Sequence, residues 1–327
     1  MKVHPWNIPL WRRLIRDPAQ LPHALLLHGP AGIGKKAFAL TLANWLLCER
    51  PGAQGPCGEC PSCAWFAQGN HPDFRHLEPL EDESETGKAR KGGRPISVEQ
   101  VREVLEFTVL SAHRGGWRVV VLHPAESLNA AAANALLKTL EEPPAGVMIM
   151  LVAHRPRRML PTVLSRCHKL AVPLPDRQSA LAWLAERQGT HAETLLSEAG
   201  GAPLAALDLA DPERIRRRDG ILAALASPMR QDWPAHAQAL QTHITEGWGW
   251  LSRWVHDLLA CQAGGAPRYF PAHAGAIRAL AARIDPARLW GLRQRLLHDG
   301  RWLAHPLNGQ LLLESWLLEY HHASEGP

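Results

Sequence analysis

The sequence predicts an α/β domain built on a parallel sheet, followed by two helical domains. From residue 21 to about residue 172, apolar strand-like segments alternate with helical patterns, as is typical of a parallel sheet. After Pro173-Leu174-Pro175 the strand pattern disappears. Apolar residues then recur at three- and four-residue steps, which is the spacing of one helix face. We therefore expect three domains, at residues 1–173, 174–211 and 212–327.

The composition is that of an ordinary globular protein. The chain has 327 residues, of which 46% are hydrophobic and 20% charged, enough for two or three domains. No apolar run approaches the roughly 18–20 residues of a membrane span, and the N-terminus lacks the pattern of a secretion signal. We expect a cytoplasmic protein with no membrane partner. Its net charge of +5 permits contact with nucleic acid without requiring it.

The predicted α/β domain has four strands that the apolar pattern marks clearly. Before the second predicted strand, a capping-box pair, Ser97 and Gln100, begins a helix. An alanine-rich helix at Asn129–Leu140 is ended by Pro143-Pro144. The polar segment Glu81–Gly93 predicts a surface loop. The four predicted strands are Ala24–His28, Arg118–Leu122, Val147–Val152 and His168–Val172.

Residues 29–36 read Gly-Pro-Ala-Gly-Ile-Gly-Lys-Lys, which fits a phosphate-binding P-loop except at its last position. Gly29, Gly32 and Gly34 would let backbone N–H groups converge on a phosphate at a helix N-terminus, and Lys35 would reach the outer phosphates. Lys36 replaces the Ser or Thr whose hydroxyl holds Mg²⁺ in such loops. Its ammonium adds repulsion to the lost ligand.

The acidic half of a nucleotide-hydrolysing site is also missing. Hydrolysis by a P-loop protein needs an acidic residue at the tip of a neighbouring strand. Here the strand that ends at Leu122 is followed by His123 and Pro124. Glu126 lies further along and is the acid that would have to compensate. We predict no ATPase activity, and leave open weak binding of a nucleotide or a bare phosphate.

Four of the six cysteines are clustered within residues 48–63. Cys48, Cys57, Cys60 and Cys63 have the spacing C-x8-C-x2-C-x2-C, with glycines and prolines that favour tight turns between them. Four thiolates suit Zn²⁺ in a closed structural site. An iron–sulfur cluster is the chemical alternative, because C-x2-C-x2-C also occurs in ferredoxins. We predict structural zinc, with a low expectation for His71 as a further ligand.

Two helical domains are predicted after residue 173. Asp176 can cap the first helix, and Gly200-Gly201 end the second. Beyond Glu213 the apolar stripes continue to the end of the chain, and we interpret them as core or subunit packing. These stripes contain Trp248, Leu251, Trp254, Leu258, Leu259, Leu312, Trp316 and Tyr320.

The run from Asn129 to Pro144, with Asn134-Ala-Leu-Leu-Lys138, resembles the clamp-loader branch of the AAA+ proteins. The resemblance extends to Leu164-Ser165-Arg166-Cys167, the cysteine insert, Gly69-Asn-His-Pro-Asp73 and Pro5-Trp6. It covers the first 210 residues well, whereas the remainder matches in length and helical character only.

The resemblance implies an AAA+ domain, a helical lid and a helical collar that assembles into a ring. Such a ring opens a sliding clamp and loads it onto primed DNA. The implied partners are a gamma/tau-type ATPase subunit and the delta subunit, with the clamp and DNA reached through the complex. The resemblance also implies that Arg166 acts as an arginine finger in trans on the neighbouring subunit's nucleotide.

Several departures from the family pattern are consistent with a non-hydrolysing member. His123 and Pro124 replace the acidic pair, and Lys36 replaces the metal-binding hydroxyl. His154 lies where active relatives carry a polar γ-phosphate sensor, and Leu204 occupies the expected position of a sensor arginine.

Two other classes remain open from the sequence. An active AAA+ ATPase would require Glu126 to replace the missing acids. A zinc-containing nucleic-acid-binding module is suggested by the basic charge and the cysteines. However, the residues between the ligands include Gly58, Glu59, Pro61 and Ser62 instead of basic or aromatic side chains. We do not expect strong DNA binding by this chain alone.

Overall fold

A computed structural model describes residues 3–80, 94–113, 116–304 and 308–325. The chain forms two compact units, one ending at Ser179 and the other beginning at Ala180. The predicted loop Glu81–Gly93 lies outside the described residues. Among the described residues, no helix combines the length and the apolar composition that crossing a bilayer requires.

The first unit is built on a five-stranded sheet in which every neighbouring pair of strands is parallel. Its order is β2-β3-β4-β1-β5. The central strands β3 and β4 are completely buried, as expected when helices cover both faces. The strands are β1 Ala24–His28, β2 Phe74–Leu77, β3 Arg118–Leu122, β4 Val147–Ala153 and β5 His168–Ala171.

Four of these strands match the predicted strands within one residue at each end. The fifth, β2, was not predicted. Phe74–Leu77 has only one buried residue, so its apolar signal is weak. It pairs with β3 at the edge of the sheet. The predicted fold class, an α/β domain with a parallel sheet followed by a helical remainder, is confirmed.

Sequence signals mark the starts of three helices in the first unit, α2, α4 and α5. Gly34 precedes α2, the Ser97–Gln100 capping box opens α4, and Asn129 accepts a hydrogen bond from the Ala132 N–H at the start of α5. The helices are α1 Ile8–Leu14, α2 Lys35–Leu47, α3 Pro61–Ala67, α4 Val98–Val109, α5 Ala130–Glu141 and α6 Pro161–Leu164. Short 3-10 helices lie at Pro5–Asn7, Pro18–Gln20, Ala125–Ser127 and Pro156–Arg158.

The parallel arrangement gathers one set of polar residues at a single edge of the sheet. Gly29 follows β1, Glu78 follows β2, His123 follows β3 and His154 follows β4. Because the carboxyl ends of parallel strands meet at the same edge, these residues face one another around the P-loop.

The second unit is entirely helical in its described residues. Helix α7 crosses the boundary between the units, and the remaining helices follow it. The helices are α7 Arg177–Gln188, α8 Ala192–Glu198, α9 Pro203–Asp208, α10 Pro212–Ala226, α11 Trp233–Ala239, α12 Ile244–Gln262, α13 Ala274–Ala281, α14 Pro286–Asp299 and α15 Gly309–Ser324. Short 3-10 helices lie at Gly189–His191, Pro228–Arg230, Gln241–His243, Pro271–His273 and Gly300–Ala304.

Several aromatic side chains lie in the core of this unit, and Trp254, Trp316 and Tyr320 among them belong to the predicted stripes. Trp250, Trp254, Trp316 and Tyr320 are fully buried. The indole N–H of Trp254 donates to the Tyr320 hydroxyl at 2.9 Å, and that hydroxyl donates to the Leu225 carbonyl at 2.7 Å. Pairing of the polar atoms removes the cost of burying them.

A smaller cluster packs separately within the same unit, around Ala180, Leu184, Leu195 and Leu196. Its residues lie inside the segment 174–211 that we expected to form its own domain. The boundary between 174–211 and 212–327 stays a prediction.

Candidate functional site

The P-loop has the backbone geometry that its glycines predict. Gly29, Gly32 and Gly34 have φ angles of 147°, 74° and 86°, which side chains with a Cβ rarely adopt. A Cβ on Gly34 would also collide with the imidazole of His4. The N-terminal segment is tied to the loop here, because the Trp6 indole N–H donates to the Ile33 carbonyl at 3.0 Å.

Lys35 is turned back onto the loop. Its side chain is buried, and its ammonium donates to the Gly29 carbonyl at 2.7 Å and to the Pro30 carbonyl. Burial lowers the pKa of Lys35 to about 8, although the nearby carboxylate of Glu126 opposes the shift. The loop therefore holds a lysine at the position that would reach phosphate, engaged with two carbonyl oxygens.

Lys36 forms an ion pair with Glu78, 2.5 Å apart, at the start of α2. The same Glu78 oxygen accepts a hydrogen bond from His123 Nδ1 at 3.0 Å. Burial alone would raise the pKa of Glu78, but the bonds from Lys36 and His123 bring it below its ordinary value. An ammonium paired with a carboxylate therefore occupies the region in which a metal-binding hydroxyl and acid would be needed.

The hydrogen bonds fix the tautomers of two neutral histidines. His123 Nδ1 donates to Glu78, so its Nε2 accepts from His154 Nε2 at 3.2 Å. His154 Nδ1 is then an unprotonated acceptor, and it is buried without a partner among the described residues. Burial lowers the pKa of His123, and burial and Lys35 lower the pKa of His154 to about 4. One neutral imidazole, His123, therefore lies where the acidic pair would begin, and the other, His154, lies at the expected position of the γ-phosphate sensor.

Glu126 is held by backbone N–H groups. Its carboxylate accepts from the N–H of His154 at 2.9 and 3.1 Å and from the N–H of Arg155 at 2.9 Å. Both oxygens are therefore engaged in closing the turn after β4.

The four clustered cysteines converge as their spacing predicts. Their sulfur atoms all lie within 4.8 Å of one another, and both the Cys48–Cys60 and the Cys57–Cys63 distances are 3.9 Å. Four sulfurs placed about 2.3 Å from a central Zn²⁺ would be about 3.8 Å apart. The donor set and its dimensions fit a tetrahedral zinc site.

Backbone N–H groups also point at these sulfurs. The N–H of Cys57 donates to Cys48 at 3.3 Å, and those of Cys60 and Cys63 donate to Cys57 and Cys60 at 3.4 Å. Backbone N–H groups of Glu59 and Cys60 lower the pKa of Cys57 to about 6, whereas burial raises that of Cys63. Such N–H groups stabilise the thiolate charge that metal binding requires.

His71 fixes the cysteine insert to the sheet. Its Nδ1 accepts from the N–H of Asp73 at 3.0 Å, so its Nε2 donates to the Ser62 hydroxyl at 2.8 Å. That hydroxyl in turn donates to the Leu47 carbonyl at the end of α2. His71 is therefore used in positioning α3 and is absent from the group of four candidate metal ligands. The sequence marked this histidine by its nearness to the cysteines and by the run Gly69–Asp73, and neither signal predicted its contact with Ser62.

Arg166 lies between α6 and β5 and contacts Glu141 at the end of α5. Its Nε donates to Glu141 Oε1 at 2.6 Å, and its Nη2 donates to the same oxygen. Its Nη1 also donates to the Thr162 carbonyl at 3.0 Å. The side chains of Arg166 and Glu141 are 32% and 49% exposed, so a competing anion can reach the guanidinium. The contacts of Arg166 include no residue of the loop 29–36.

Comparison with known proteins decides the family. A family model described as DNA polymerase III, delta subunit matches residues 8–175, and one described as its C-terminal part matches residues 212–322. The chain belongs to the DNA polymerase III delta-prime family. A delta' subunit from Pseudomonas aeruginosa is 43% identical over 71% of each chain. A delta' subunit from Escherichia coli is 32% identical over 98% of this chain and 96% of its own.

The relatives extend to another polymerase III subunit. A tau subunit from Salmonella typhimurium is 33% identical over 45% of this chain, although that covers only 21% of the tau protein. The delta' relatives and the family models confirm the predicted resemblance, and the chain is a delta'-type polymerase III subunit. The roles of Arg166, of Gly29, Gly32, Gly34 and Lys35, and of the four cysteines stay predictions.

Proposed function

We propose that this chain is the non-hydrolysing subunit of a replicative clamp loader and supplies Arg166 in trans to the neighbouring ATPase subunit. Its partners are a gamma/tau-type ATPase subunit and the delta subunit. The sliding clamp and primed DNA are reached through the complex, which loads the clamp onto the DNA. A cytoplasmic location is part of the same proposal. The proposal that this subunit does not hydrolyse ATP rests on the ion pair between Lys36 and Glu78, which lies where the site would need a metal ion.

The electrostatics of the loop support this proposal. A Mg²⁺ ion next to α2 would meet the ammonium of Lys36, and the acid beside it, Glu78, is already bound to Lys36 and His123. His123 provides a neutral nitrogen, and Pro124 no ligand, in place of the carboxylates that Mg²⁺ prefers. Weak binding of a nucleotide or a bare phosphate at Gly29–Lys35 is still compatible with the loop, since Lys35 can exchange carbonyl oxygens for phosphate.

The contacts of Glu126 argue against an active ATPase. A residue that polarises an attacking water needs a free carboxylate oxygen directed at the nucleotide. Both Glu126 oxygens accept backbone hydrogen bonds from His154 and Arg155. Removing it from this turn would leave two N–H groups without partners.

The proposed role of Arg166 as an arginine finger requires its guanidinium to leave Glu141 and bind the neighbouring subunit's nucleotide. In the chain alone the guanidinium is neutralised by Glu141, which is half-exposed. The developing charge on a transferring phosphoryl group would compete for the same guanidinium, and such contacts are worth a factor of roughly 10³–10⁵ in related systems. Arg166 is thus available for a neighbour without any change in its own backbone.

The four-cysteine site is proposed to hold one structural Zn²⁺. The four sulfurs would complete the coordination shell, so no position remains for a substrate or water. Zinc here would stabilise the segment that joins α2 and α3.

Reconstitution of the loader tests the proposed function. The chain is assembled with the ATPase subunit, the delta subunit, the clamp and primed DNA, and the burst of ATP hydrolysis is measured per ring. We expect Arg166→Ala to remove hydrolysis at the one ATPase site that adjoins this chain, while assembly is retained. Arg157→Ala, an exposed arginine nine residues away, is the matched control and should leave the burst unchanged.

Each alternative result has a distinct meaning. An unchanged burst with Arg166→Ala would reject the finger and leave a scaffold role. Failure of the wild-type chain to join the ring would reject the subunit assignment. Mg²⁺-dependent ATP turnover that follows the isolated chain through chromatography would reject the non-hydrolysing role.

A further inference from the structure

A cavity of about 190 Å³ lies within the second unit, between α12 and α14. On α12 its wall is formed by Trp248, Ser252, Arg253 and His256, and Arg293 on α14 completes it with Tyr269. We call this cavity the Arg253 pocket. It belongs to no site described above.

The pocket contains two arginines that lack an acidic partner. Neither Arg253 nor Arg293 forms an ion pair with a carboxylate among the described residues. Arg293 donates to the Ser252 carbonyl at 3.3 Å, and Arg253 lies over the Tyr269 ring, 5.9 Å from its centre. In the described part of the chain no Asp or Glu lines the pocket, so its charge is positive.

Two acids could act on Arg253, namely Asp257, which is near it in sequence, and Glu198, whose charge affects its pKa. Both are bound to other groups. Asp257 accepts hydrogen bonds from the backbone N–H groups of Arg268, Tyr269 and Phe270. Glu198 is fully buried and binds Arg214, Arg218 and the Trp250 indole. Neither carboxylate can neutralise Arg253 without abandoning these bonds.

Two further observations favour an anionic or hydrogen-bonding partner for this pocket. The Ser252 hydroxyl is buried and has no hydrogen-bond partner among the described residues. Burial also lowers the pKa of Arg253, although Glu198 opposes the shift. Partly desolvated cations and orphan hydroxyls are costly unless an anion or acceptor pairs with them.

The size of the pocket and its surroundings favour a protein side chain. About 190 Å³ is well below the roughly 300–1,000 Å³ of small-molecule sites, so a nucleotide does not fit. Trp290 and Leu297 lie three residues before and four residues after Arg293, on the same face of α14. They are 56% and 53% exposed. An exposed tryptophan next to an arginine is typical of protein interfaces.

We propose that the Arg253 pocket receives the carboxylate of an Asp or Glu from a neighbouring subunit of the ring, while Trp290 and Leu297 pack against the same segment. The carboxylate pairs with Arg253 and Arg293. This inference rests on the proposed function, because it requires the ring.

Assembly of the complete ring tests the pocket. The dissociation constant of the full chain from the ATPase and delta subunits is measured for wild type, Arg253→Gln, Arg293→Gln and Arg278→Gln. Arg278 is exposed on α13, outside the pocket, and controls for the loss of one positive charge. We expect each pocket variant to weaken assembly by about tenfold or more, and the control by less than about twofold. Circular dichroism and thermal unfolding of each variant confirm that it is folded.

The source of the anion is tested on the isolated chain. Sodium phosphate and sodium chloride are compared at equal ionic strength for their effect on the melting temperature. If phosphate raises it for wild type and not for Arg253→Gln while assembly is equal, the pocket binds a free anion and the proposal is wrong. Equal assembly of all variants, or equal weakening by Arg278→Gln, would also overturn it. Failure of wild type itself to assemble would instead reject the proposed function.

Discussion

Lys36 and Glu78 form a 2.5 Å ion pair across two elements, the first turn of α2 and the end of β2. Glu78 also binds His123, so one carboxylate joins the altered last position of the P-loop to the altered position after β3. Two separate departures from an ATPase pattern are therefore parts of one hydrogen-bonded arrangement. A single reversion would leave the other part in place.

Lys36→Thr is accordingly expected to give no ATPase activity. The substitution restores the hydroxyl but leaves His123 and Pro124 where Mg²⁺ needs carboxylates. Because both partners of the ion pair are about 40% exposed, the free energy of unfolding should change by less than about 1 kcal/mol. Phosphate release with Mg²⁺ and denaturant unfolding check the two statements. Turnover by the variant above that of the parent would show that the hydroxyl alone was limiting.

The sequence predicted the parts of this site that depend on local pattern. The P-loop, four of the strands and the four clustered cysteines each follow from the spacing of residues within a short segment of the sequence. Strand β2 was missed because Arg75 and His76 interrupt its apolar pattern at the edge of the sheet. Since Glu78 follows β2, its pairing with Lys36 could not be predicted either.

Other contacts depend on how segments distant in sequence pack together in the folded chain. The sequence suggested Glu126 as a substitute acid, but the 3-10 helix Ala125–Ser127 turns its carboxylate onto the N–H groups after β4. The stripe on α12 predicted Trp254 and Leu258 as core residues, which is confirmed. Arg253 lies between the stripe residues Leu251 and Trp254, and only the packing of α14 brings Arg293 to the same pocket.

Metal analysis of the purified chain should find about one zinc ion per chain. Cys60→Ser removes one of four ligands, so we expect loss of zinc and a fall of roughly 5 °C or more in the melting temperature of the first unit. Cys261→Ser, a half-buried thiol on α12, is the control and should retain the metal. Iron with visible charge-transfer absorption would contradict the zinc assignment, and full stability of the stripped chain would contradict its structural role.

Stability should decrease as the pH falls from about 6.5 to about 4, partly because of His154. Its pKa is about 4 in the folded chain, chiefly through burial, against about 6.5 when unfolded. In this window the unfolded state binds more protons, so acidification favours unfolding. The His154→Gln variant has no imidazole at this position to take up a proton on unfolding. It should therefore gain stability relative to wild type as the pH falls. Denaturant unfolding at several pH values measures the difference, and parallel curves for the two proteins would refute it.

Glu141 should restrain Arg166 without taking part in the neighbour's chemistry. Glu141→Gln keeps the shape of the side chain but removes the charge that holds the guanidinium, so Arg166 is freed for a competing phosphate. In the reconstituted ring we expect a burst of ATP hydrolysis equal to or larger than that of wild type. Glu142→Gln, at the adjacent exposed position, is the matched control.

The isolated Glu141→Gln chain should lose less than about 1 kcal/mol of stability, because the pair is half-exposed. If Glu141→Gln instead abolished the burst as Arg166→Ala is expected to do, the functional unit would be the ion pair. Glu141 would then position the guanidinium for the neighbour, and the exchange of partners proposed for Arg166 would be wrong.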